Sequence, residues 1–275
     1  MYMKLKDGKS KVLTLSYDDG VIQDIRLIGI LDKYGIKGTF NINTGSYFPE
    51  DKTRETPRGR LKLSESQKLY INSGHEVATH ALTHAFLEEL RPDEVITEII
   101  TDRKNIEAQY GSFARGHAYP YGSYSDEVVD CLAKCGICYA RTVKSTGKFD
   151  FPENWLKLHP TCHHNSPELM TLANKFIDIT SKYPFENWMF YLWGHSYEFD
   201  NDDNWDVIEN FAKTVGGRDD IWYATNIEIY DYVKAYESLQ TTVDNSLVHN
   251  PTATDVWFVH NKITYCVKAG ETIRI

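Results

Sequence analysis

The sequence has little basic charge, and this shortage limits the partners that the protein can have. Its 275 residues contain 30 Lys and Arg against 39 Asp and Glu, which gives a net charge of −9 at pH 7. A protein that binds nucleic acid or an anionic membrane surface needs a basic footprint to attract phosphate groups. We therefore expect neither nucleic acid nor an anionic membrane surface as a partner.

Long apolar runs are also absent. No stretch of about 18 consecutive apolar residues occurs, so the sequence predicts no membrane span. The opening residues, MYMKLKDGKS, lack the apolar core of a signal peptide. The sequence accordingly predicts a cytoplasmic protein, and an extracellular one only if a leader segment precedes this chain.

Cysteine is scarce, and a serine nucleophile motif is missing. Three of the five cysteines, Cys131, Cys135 and Cys138, lie close together. An odd number without a repeated CxxC framework is typical of free or buried thiols and not of a disulfide scaffold. The triplet has no fourth soft ligand nearby, which disfavours a zinc site there. No GxSxG elbow is present to support a serine mechanism.

Short apolar strands alternate with amphipathic helices through most of the chain. The strand KVLTLSY, for example, precedes the helical pattern VIQDIRLIGILDKY, whose apolar residues recur three and four apart. Such alternation predicts parallel strands joined by crossover helices. We therefore predict an α/β fold, an incomplete or distorted (β/α) barrel of about seven parallel strands, with an open doubly wound sheet as the alternative.

The residue pattern of the sequence changes near Thr241. From there to Ile275, β-branched runs are interrupted by Asn-Pro and Ala-Gly, and no helical pattern follows. The sequence thus predicts two parts. Residues 1–240 form the barrel domain, and residues 241–275 form a short β segment packed on the barrel or appended to it.

Ionisable residues recur where the predicted strands end. Asp18 and Asp19 end the first strand, His80 and His84 end the third, AYPYG ends the fourth, and His195 ends a late strand. An Asp-Asp-Gly sequence after a strand is also an ordinary turn signal. The carboxyl ends of parallel barrel strands share one rim, however, and that rim holds the active site in such folds. Four clusters at strand ends therefore favour an active site.

His80 and His84 have the spacing of paired metal ligands, because residues four apart lie on one side of a helical turn. Two imidazoles and one carboxylate would leave an open position for water, as in a catalytic zinc site. The same donors suit iron, cobalt or manganese. An isolated HxxxH pair also occurs as capping or core histidines, so the spacing alone leaves both interpretations open.

The motifs resemble those of a known family. The segments LSYDDG, HALTH, AYPYG and GH, in this order, are similar to the polysaccharide deacetylases (carbohydrate esterase family 4) over roughly residues 10–240. The resemblance implies a hydrolase that removes acetyl groups from N-acetylated sugars or O-acetylated glycans. An acetylated oligo- or polysaccharide is thus the expected substrate. It also implies one divalent metal ion, zinc first, with Co²⁺, Mn²⁺, Fe²⁺ or Ni²⁺ as alternatives.

The same resemblance implies roles for individual residues. Asp18 would be the general base and His195 the general acid. Asp19, His80 and His84 would hold the metal. Residues on the substrate side would be Pro120 and Tyr121 of PYG, with the Tyr121 N–H as an oxyanion donor, Trp155 of FPENW as an aromatic wall, and Leu192 as part of a methyl pocket.

One position departs from the family pattern. The family has an Arg two residues before the Pro of its third motif, where it pairs with the catalytic base, and this chain has Ala118 there. Arg141, in YART at the end of the next strand, is our candidate for the missing partner; a surface ion pair for Arg141 is the alternative. We expect its guanidinium within about 4 Å of an Asp18 oxygen, or bridged to it by one water.

Functions from two classes fit these observations. The first is a metal-dependent deacetylase that uses activated water, a general base and a general acid, with a non-sugar amide hydrolase as a variant. The second is a carbohydrate-binding protein on the same fold whose site no longer turns over, which the missing Arg would support. His163 and His164, in PTCHH, fit either a sugar subsite or a solvated loop.

Overall fold

The protein is described here by a computed structural model that covers residues 1–56 and 58–275. Over these residues the α-helices are α1 (Asp24–Lys33), α2 (Leu63–Tyr70), α3 (Pro92–Tyr110), α4 (Asp126–Lys134), α5 (Leu169–Asp178), α6 (Tyr197–Asn201), α7 (Trp205–Val215) and α8 (Asn226–Glu237). The strands are β1 (Tyr2–Lys4), β2 (Lys11–Asp18), β3 (Thr39–Ile42), β4 (Glu76–Thr79), β5 (Gly116–Ala118), β6 (Tyr139–Arg141), β7 (Cys162–His163), β8 (Trp188–Gly194), β9 (Ile221–Tyr223), β10 (Gln240–Thr241), β11 (Leu247–His249), β12 (Val256–His260), β13 (Ile263–Val267) and β14 (Thr272–Arg274).

One parallel sheet organises the molecule. Its strands follow the order β6-β5-β4-β3-β2-β8-β7, and β9 pairs with the amino-terminal half of β2. Every pairing in the sheet is parallel, as crossover helices require. The prediction of an incomplete (β/α) barrel is therefore confirmed.

An irregular segment joins the two edges of this sheet. The Leu158 N–H donates to Ala140 O on β6, and the Thr142 N–H donates to Leu158 O. A few residues later, the Thr161 N–H donates to Tyr191 O on β8. The chain from Leu158 onward thus curls the sheet on itself and brings the ends of β2, β6 and β8 together.

Local sequence explains where the long helix α3 begins and ends. Pro92 occupies its first turn, where a missing N–H costs nothing, and Asp93 and Glu94 add negative charge near the positive end of the helix dipole. Gly111 follows the helix at φ 67°, the left-handed conformation that stops a helix and that glycine adopts without strain.

Alternation along β2 separates an apolar face from a polar one. Leu13 and Leu15 are fully buried in the main hydrophobic cluster, which contains residues of α1, α5 and α7. Thr14 and Ser16 alternate with them and join a buried polar network, in which Thr14 Oγ1 donates to Asn226 Oδ1 and Ser16 Oγ lies 2.9 Å from the Tyr191 hydroxyl. The next residue with the same alternation is Asp18, so the polar face leads directly to the strand end.

Small antiparallel sheets complete the fold. β1 pairs with β12 and β12 with β13, while β11 pairs with β10 and β14. The proposed division at residues 240 and 241 stays a prediction, and the sheet of β12 includes the amino-terminal strand β1. No helix in the part of the chain covered by the structure has the length and apolar character to cross a bilayer.

Candidate active site

The end of β2 presents two carboxylates to the rim of the barrel. Asp18 is the last residue of the strand, and Asp19 and Gly20 follow at φ 86° and 62°. Two successive residues in the left-handed region turn the chain sharply away from the sheet. Asp18 lies opposite Asn41 in the β2–β3 register, and the Asn41 amide donates to Asp18 Oδ1 over 2.8 Å.

Asp19, His80 and His84 come together beside this turn, with one ligand atom from each within 4.8 Å of the others. His80 Nε2 is 3.9 Å and His84 Nε2 is 3.6 Å from Asp19 Oδ1. His84 has φ 61°, and its ring meets the ring of Tyr121 edge-on with centroids 4.5 Å apart. The structure therefore groups the three residues that the sequence proposed as metal ligands.

The tautomer of His80 suits a metal ligand. Its Nδ1 lies 2.8 Å from the carbonyl oxygen of Ala118, so Nδ1 must carry the proton and Nε2 keeps its lone pair. Nε2 is buried and has no hydrogen-bond partner, although it faces Asp19. Burial lowers the pKa of His80 to about 4, which keeps the imidazole neutral. A buried, unpaired lone pair beside a carboxylate fits a divalent metal ion.

Asp102 and Arg60 support this group from opposite sides. Asp102, on α3, accepts the His80 N–H over 3.1 Å and the Thr44 N–H over 2.8 Å. These hydrogen bonds hold the backbone at His80 and Thr44 in place. Arg60 Nη2 lies 2.9 Å from Asp19 Oδ1, and its Nη1 donates to Asp19 O and to Asn43 Oδ1. Asp19 Oδ1 makes no well-aligned hydrogen bond despite this ion pair, so it remains available as a ligand.

Asp18 has a buried arginine partner. Arg141 Nη2 donates to Asp18 Oδ2, and both side chains are almost completely removed from solvent. The guanidinium also lies over the ring of Trp193, 4.3 Å from its centroid. Burial alone would raise the pKa of Asp18, but Arg141, His80, His195 and the Asn41 hydrogen bond hold it well below its ordinary value. The carboxylate therefore stays ionised.

His195 faces Asp18 from the end of β8. Its Nε2 is 3.8 Å from Asp18 Oδ2, while its Nδ1 lies 3.3 Å from Glu198 Oε1. Burial would lower the pKa of His195, but the Glu198 hydrogen bond and the charges of Asp18 and Glu198 raise it above its ordinary value. A carboxylate with a lowered pKa and an imidazole with a raised pKa thus lie beside the Asp19, His80 and His84 group.

Some residues expected at the substrate side lie elsewhere. Leu192 is fully buried in the apolar cluster on the helix-facing side of the sheet, because it alternates with Tyr191 and Trp193, which face inward. Trp155 packs edge-on against Tyr230 of α8, with ring centroids 5.3 Å apart, and has no described contact with the acid–base pair.

The PYG segment does lie at the rim. Pro120 is buried, and Tyr121 follows at φ 58° with its ring stacked on Phe86, centroids 3.8 Å apart. Tyr121 is more than half exposed. The two rings form an aromatic surface next to His84.

Four contributors to the site escaped the sequence analysis: Asn41, Arg60, Asp102 and Glu198. Asn41 lies on β3, one crossover after β2, and its position opposite Asp18 depends on the strand register. Arg60 and Asp102 come from a loop and a helix that no strand-end rule covers. Glu198 lies in a stretch rich in acids that is typical of a solvated loop.

Comparison with known families agrees with the motifs. The model of the polysaccharide deacetylase family matches residues 5–140. The chain is identified as a member of this family over that segment, which is just under half of its length. The matched part contains Asp18, Asp19, His80, His84 and the PYG segment, whereas Arg141, His195 and Glu198 lie beyond it.

A chitooligosaccharide deacetylase from Bradyrhizobium sp. (strain ANU 289) is 34% identical over 68 residues, 24% of this chain. The match spans only 31% of that relative. The shared part is therefore only a fragment of the relative.

Solved structures share the fold of this polysaccharide deacetylase-family chain. A protein from Mycobacterium smegmatis assigned as a polysaccharide deacetylase has a TM-score of 0.61 and 17% identity, over 86% of this chain and 95% of its own. The Xyl-CE4 domain of a multidomain xylanase from the hindgut metagenome of Trinervitermes trinervoides has a TM-score of 0.52 and 16% identity, over 82% and 92%. A CE4-family pseudoenzyme from Bacillus anthracis has a TM-score of 0.50 and 17% identity, over 84% and 68%. At these identities the likeness establishes the fold alone.

Proposed function

We propose that the protein is a metal-dependent hydrolase that removes acetyl groups from an acetylated carbohydrate. The observation that carries this proposal is the placement of Asp18 and His195 on the rim beside Asp19, His80 and His84. A base, an acid and a metal-binding group are the parts needed to hydrolyse an amide or ester without a covalent intermediate.

In the proposed reaction Asp18 is the general base. Its Oδ2 takes a proton from the attacking water, and the Arg141 guanidinium keeps that carboxylate ionised and oriented. Asp19, His80 and His84 would hold one divalent ion, zinc in our assignment. When bound, such an ion acts as a Lewis acid toward the acetyl carbonyl and makes water more acidic.

His195 is the proposed general acid. The raised pKa of His195 favours its protonated form, and its Nε2 faces the rim, where it can give a proton to the departing nitrogen or oxygen. The Tyr121 N–H is our candidate for a donor to the developing oxyanion. Tyr121 and Phe86 offer an exposed aromatic face on which a sugar ring can pack.

The alternative of a binding protein without turnover rested on the absent Arg at position 118. Arg141 supplies a guanidinium to Asp18 from the next strand, so this argument for inactivity loses its force. Retention of both an acid and a base also favours catalysis, because binding alone needs neither.

Acetate release tests the proposal directly. Purified protein, with metal content measured by mass spectrometry, would be given N-acetylated chitooligosaccharides, O-acetylated xylan and small non-sugar amides in parallel. We expect acetate from an acetylated glycan, abolished by a chelator and restored by Zn²⁺ or Co²⁺. Metal-loaded protein that binds a glycan and releases no acetate would support the binding alternative, and turnover of non-sugar amides alone would reassign the substrate.

A further inference from the structure

A second group of imidazoles surrounds one carboxylate beside the acid His195. Glu198 Oε2 lies 3.2 Å from His163 Nε2 and 3.0 Å from His164 Nε2. The same carboxylate receives the His195 backbone N–H over 3.3 Å, and its Oε1 lies 3.3 Å from His195 Nδ1. Three histidines thus converge on Glu198.

The sheet produces this convergence. His163 ends β7 and lies opposite Trp193 in the register of β7 and β8. His195 follows β8 directly, and Glu198 lies one turn later in the short helix α6. Adjacent strand ends therefore bring residues separated by more than thirty positions to one carboxylate.

Packing holds His164 in place, although neither of its ring nitrogens makes a well-aligned hydrogen bond. Its ring is fully buried, and it stacks on Phe199 with centroids 4.2 Å apart and on Tyr17 at 5.7 Å. It lies so close to Gly194 that any Cβ there would overlap Nδ1. A ring held this way forms a rigid wall behind Glu198.

The tautomer of His163 places a proton where it can stabilise the Glu198 carboxylate. The Asn165 N–H donates to His163 Nδ1 over 3.2 Å, so Nδ1 is an acceptor and the ring proton lies on Nε2, which faces Glu198. A nitrogen that carries a proton cannot ligate a metal ion through a lone pair. The same imidazole can stabilise a negative charge on Glu198.

We propose that Glu198, braced by His163 and His164, is the positioning residue for His195. It holds the His195 ring with Nδ1–H toward Glu198, which leaves Nε2 directed at Asp18 and the rim. The negative charge of Glu198 also stabilises the imidazolium that a general acid must form before it gives up its proton. The kinetic consequences rest on the proposed function, whereas the ring orientation does not.

Among the residues that the structure describes, no second carboxylate near His195 could take over this contact with Nδ1. The charged, titratable or aromatic groups that face it or act on it electrostatically are Asp18, Asp19, His84, His163, His164, Trp193, Tyr197 and Glu198. Asp18 is on the Nε2 side and paired with Arg141, so Glu198 is the one carboxylate of the described residues within hydrogen-bonding distance of Nδ1.

The decisive measurement is the tautomer of His195 by NMR of ¹⁵N-histidine-labelled protein, assigned with a His195→Gln variant. In the wild-type chain we expect a strongly deshielded Nδ1 proton on His195. In Glu198→Gln this signal should move upfield or exchange with water, and the pKa of His195 should fall. No substrate is needed, so a failed deacetylase assay would leave this result interpretable.

Kinetics extend the test. Glu198→Gln should lower kcat by roughly tenfold to a hundredfold with little change in KM, the range for loss of an orienting partner. Its pH–rate profile should lose activity at lower pH on the basic limb, because removal of an anion lowers the pKa of the imidazolium. Glu198→Asp, which keeps the charge one methylene shorter, should be intermediate. Glu168→Gln, an exposed glutamate nearby, should match the wild type.

Two results would overturn the proposal. One is an unchanged Nδ1 resonance and unchanged pH profile in folded Glu198→Gln. The other is a second equivalent of Zn²⁺ in the wild type, titrated with the metal alone, that disappears in His163→Ala; the group would then be a cation site. Should Glu198→Gln not fold, the wild-type tautomer and Glu198→Asp still decide the question.

Discussion

Two histidines and a carboxylate occur twice on the same rim, as Asp19 with His80 and His84 and as Glu198 with His163 and His164. The donor inventories are nearly the same, and both groups lie within reach of the acid–base pair. They differ in what lies behind the rings. His80 donates a hydrogen bond from Nδ1–H to a backbone carbonyl, whereas His163 Nδ1 accepts one from a backbone N–H.

The hydrogen bond at one ring nitrogen of an imidazole therefore determines whether the other nitrogen carries a lone pair or a proton. A carbonyl behind the ring frees a lone pair for a cation, and an N–H behind the ring forces a proton toward the site. Residue type and spacing cannot distinguish the two cases. The variants described next test whether the two groups differ in this way.

The largest effect is expected from loss of a metal ligand. His84→Ala should remove most of the bound metal and reduce acetate release to background, because two remaining ligands bind a divalent ion weakly. His163→Ala is the matched variant and should keep the wild-type metal content. Metal analysis after dialysis checks both. Equal metal loss in the two variants would erase the distinction between the groups.

Asp18→Asn should lower kcat by about two orders of magnitude or more, the range for loss of a general base, and should keep the metal. Asn preserves the shape of Asp18 and its contact with Asn41 but cannot accept the proton of water. Initial rates with metal content measured on the same sample check this. Asp93→Asn, at an exposed position in α3, provides the control. Wild-type turnover by Asp18→Asn would mean that another group takes the proton.

Arg141→Ala should destabilise the protein by about 3–5 kcal/mol, the cost of leaving a buried charge without its partner. The double variant Arg141→Ala with Asp18→Asn should lose less than the sum of the single variants, because the stranded charge is then gone. Chemical denaturation measures the four free energies of unfolding. Strict additivity would show that the two side chains are not coupled.

The smallest effect concerns Glu76, a half-buried carboxylate whose described hydrogen bonds come from no imidazole or guanidinium. It accepts hydrogen bonds from Thr39, Tyr139 and the Ile227 N–H, and burial raises its pKa to about 7. The folded state therefore binds the proton more tightly than the unfolded state. The contribution of Glu76 to the free energy of unfolding should fall as pH rises from about 4.5 to 7, by at most about 1.4 kcal/mol per pH unit.

Glu76→Gln should flatten that slope, because an amide carries no titrating proton. Denaturation curves at several pH values measure it, with Glu127→Gln at an exposed position as the comparison. If the slope is the same in both variants, another group is responsible for it. Asp18 and Glu198 are the instructive contrast to Glu76. Despite burial, the pKa of Asp18 is held well below its ordinary value by Arg141 first, and that of Glu198 by hydrogen bonds from the neighbouring imidazoles.

Rules about strand ends predicted much of the site. Asp18, His80 and His195 follow strands that alternate with helices, and parallel strands place their carboxyl ends on one rim. Arg141 could be proposed for the same reason. Glu198 could not, because α6 is only five residues long and its sequence, SYEFDNDDN, has no helical periodicity.

The expectations for Leu192 and Trp155 show another limit. Residues next to each other in a strand point to opposite faces, so a position one residue away from an inward-facing Trp193 belongs to the other layer. Family motifs give the order of the site residues along the chain but not the face of the strand on which each residue lies. The three-residue strand β1 was missed because so short a segment has no pattern of its own, and its partner is near the other end of the chain.

The pairing of β1 with β12 also bears on the order of events during synthesis. Lys4 lies opposite Trp257, and the Tyr232 hydroxyl of α8 donates to Lys4 O while it accepts the Trp257 N–H. Residues 2–4 leave the ribosome early, yet their partner strand is made after the entire barrel sequence. The strand β1 must therefore wait for this neighbour until residues 256–260 have been made, and contacts of such long sequence separation are slow to form. Closure of this sheet is thus a step that can only follow synthesis of the whole barrel sequence.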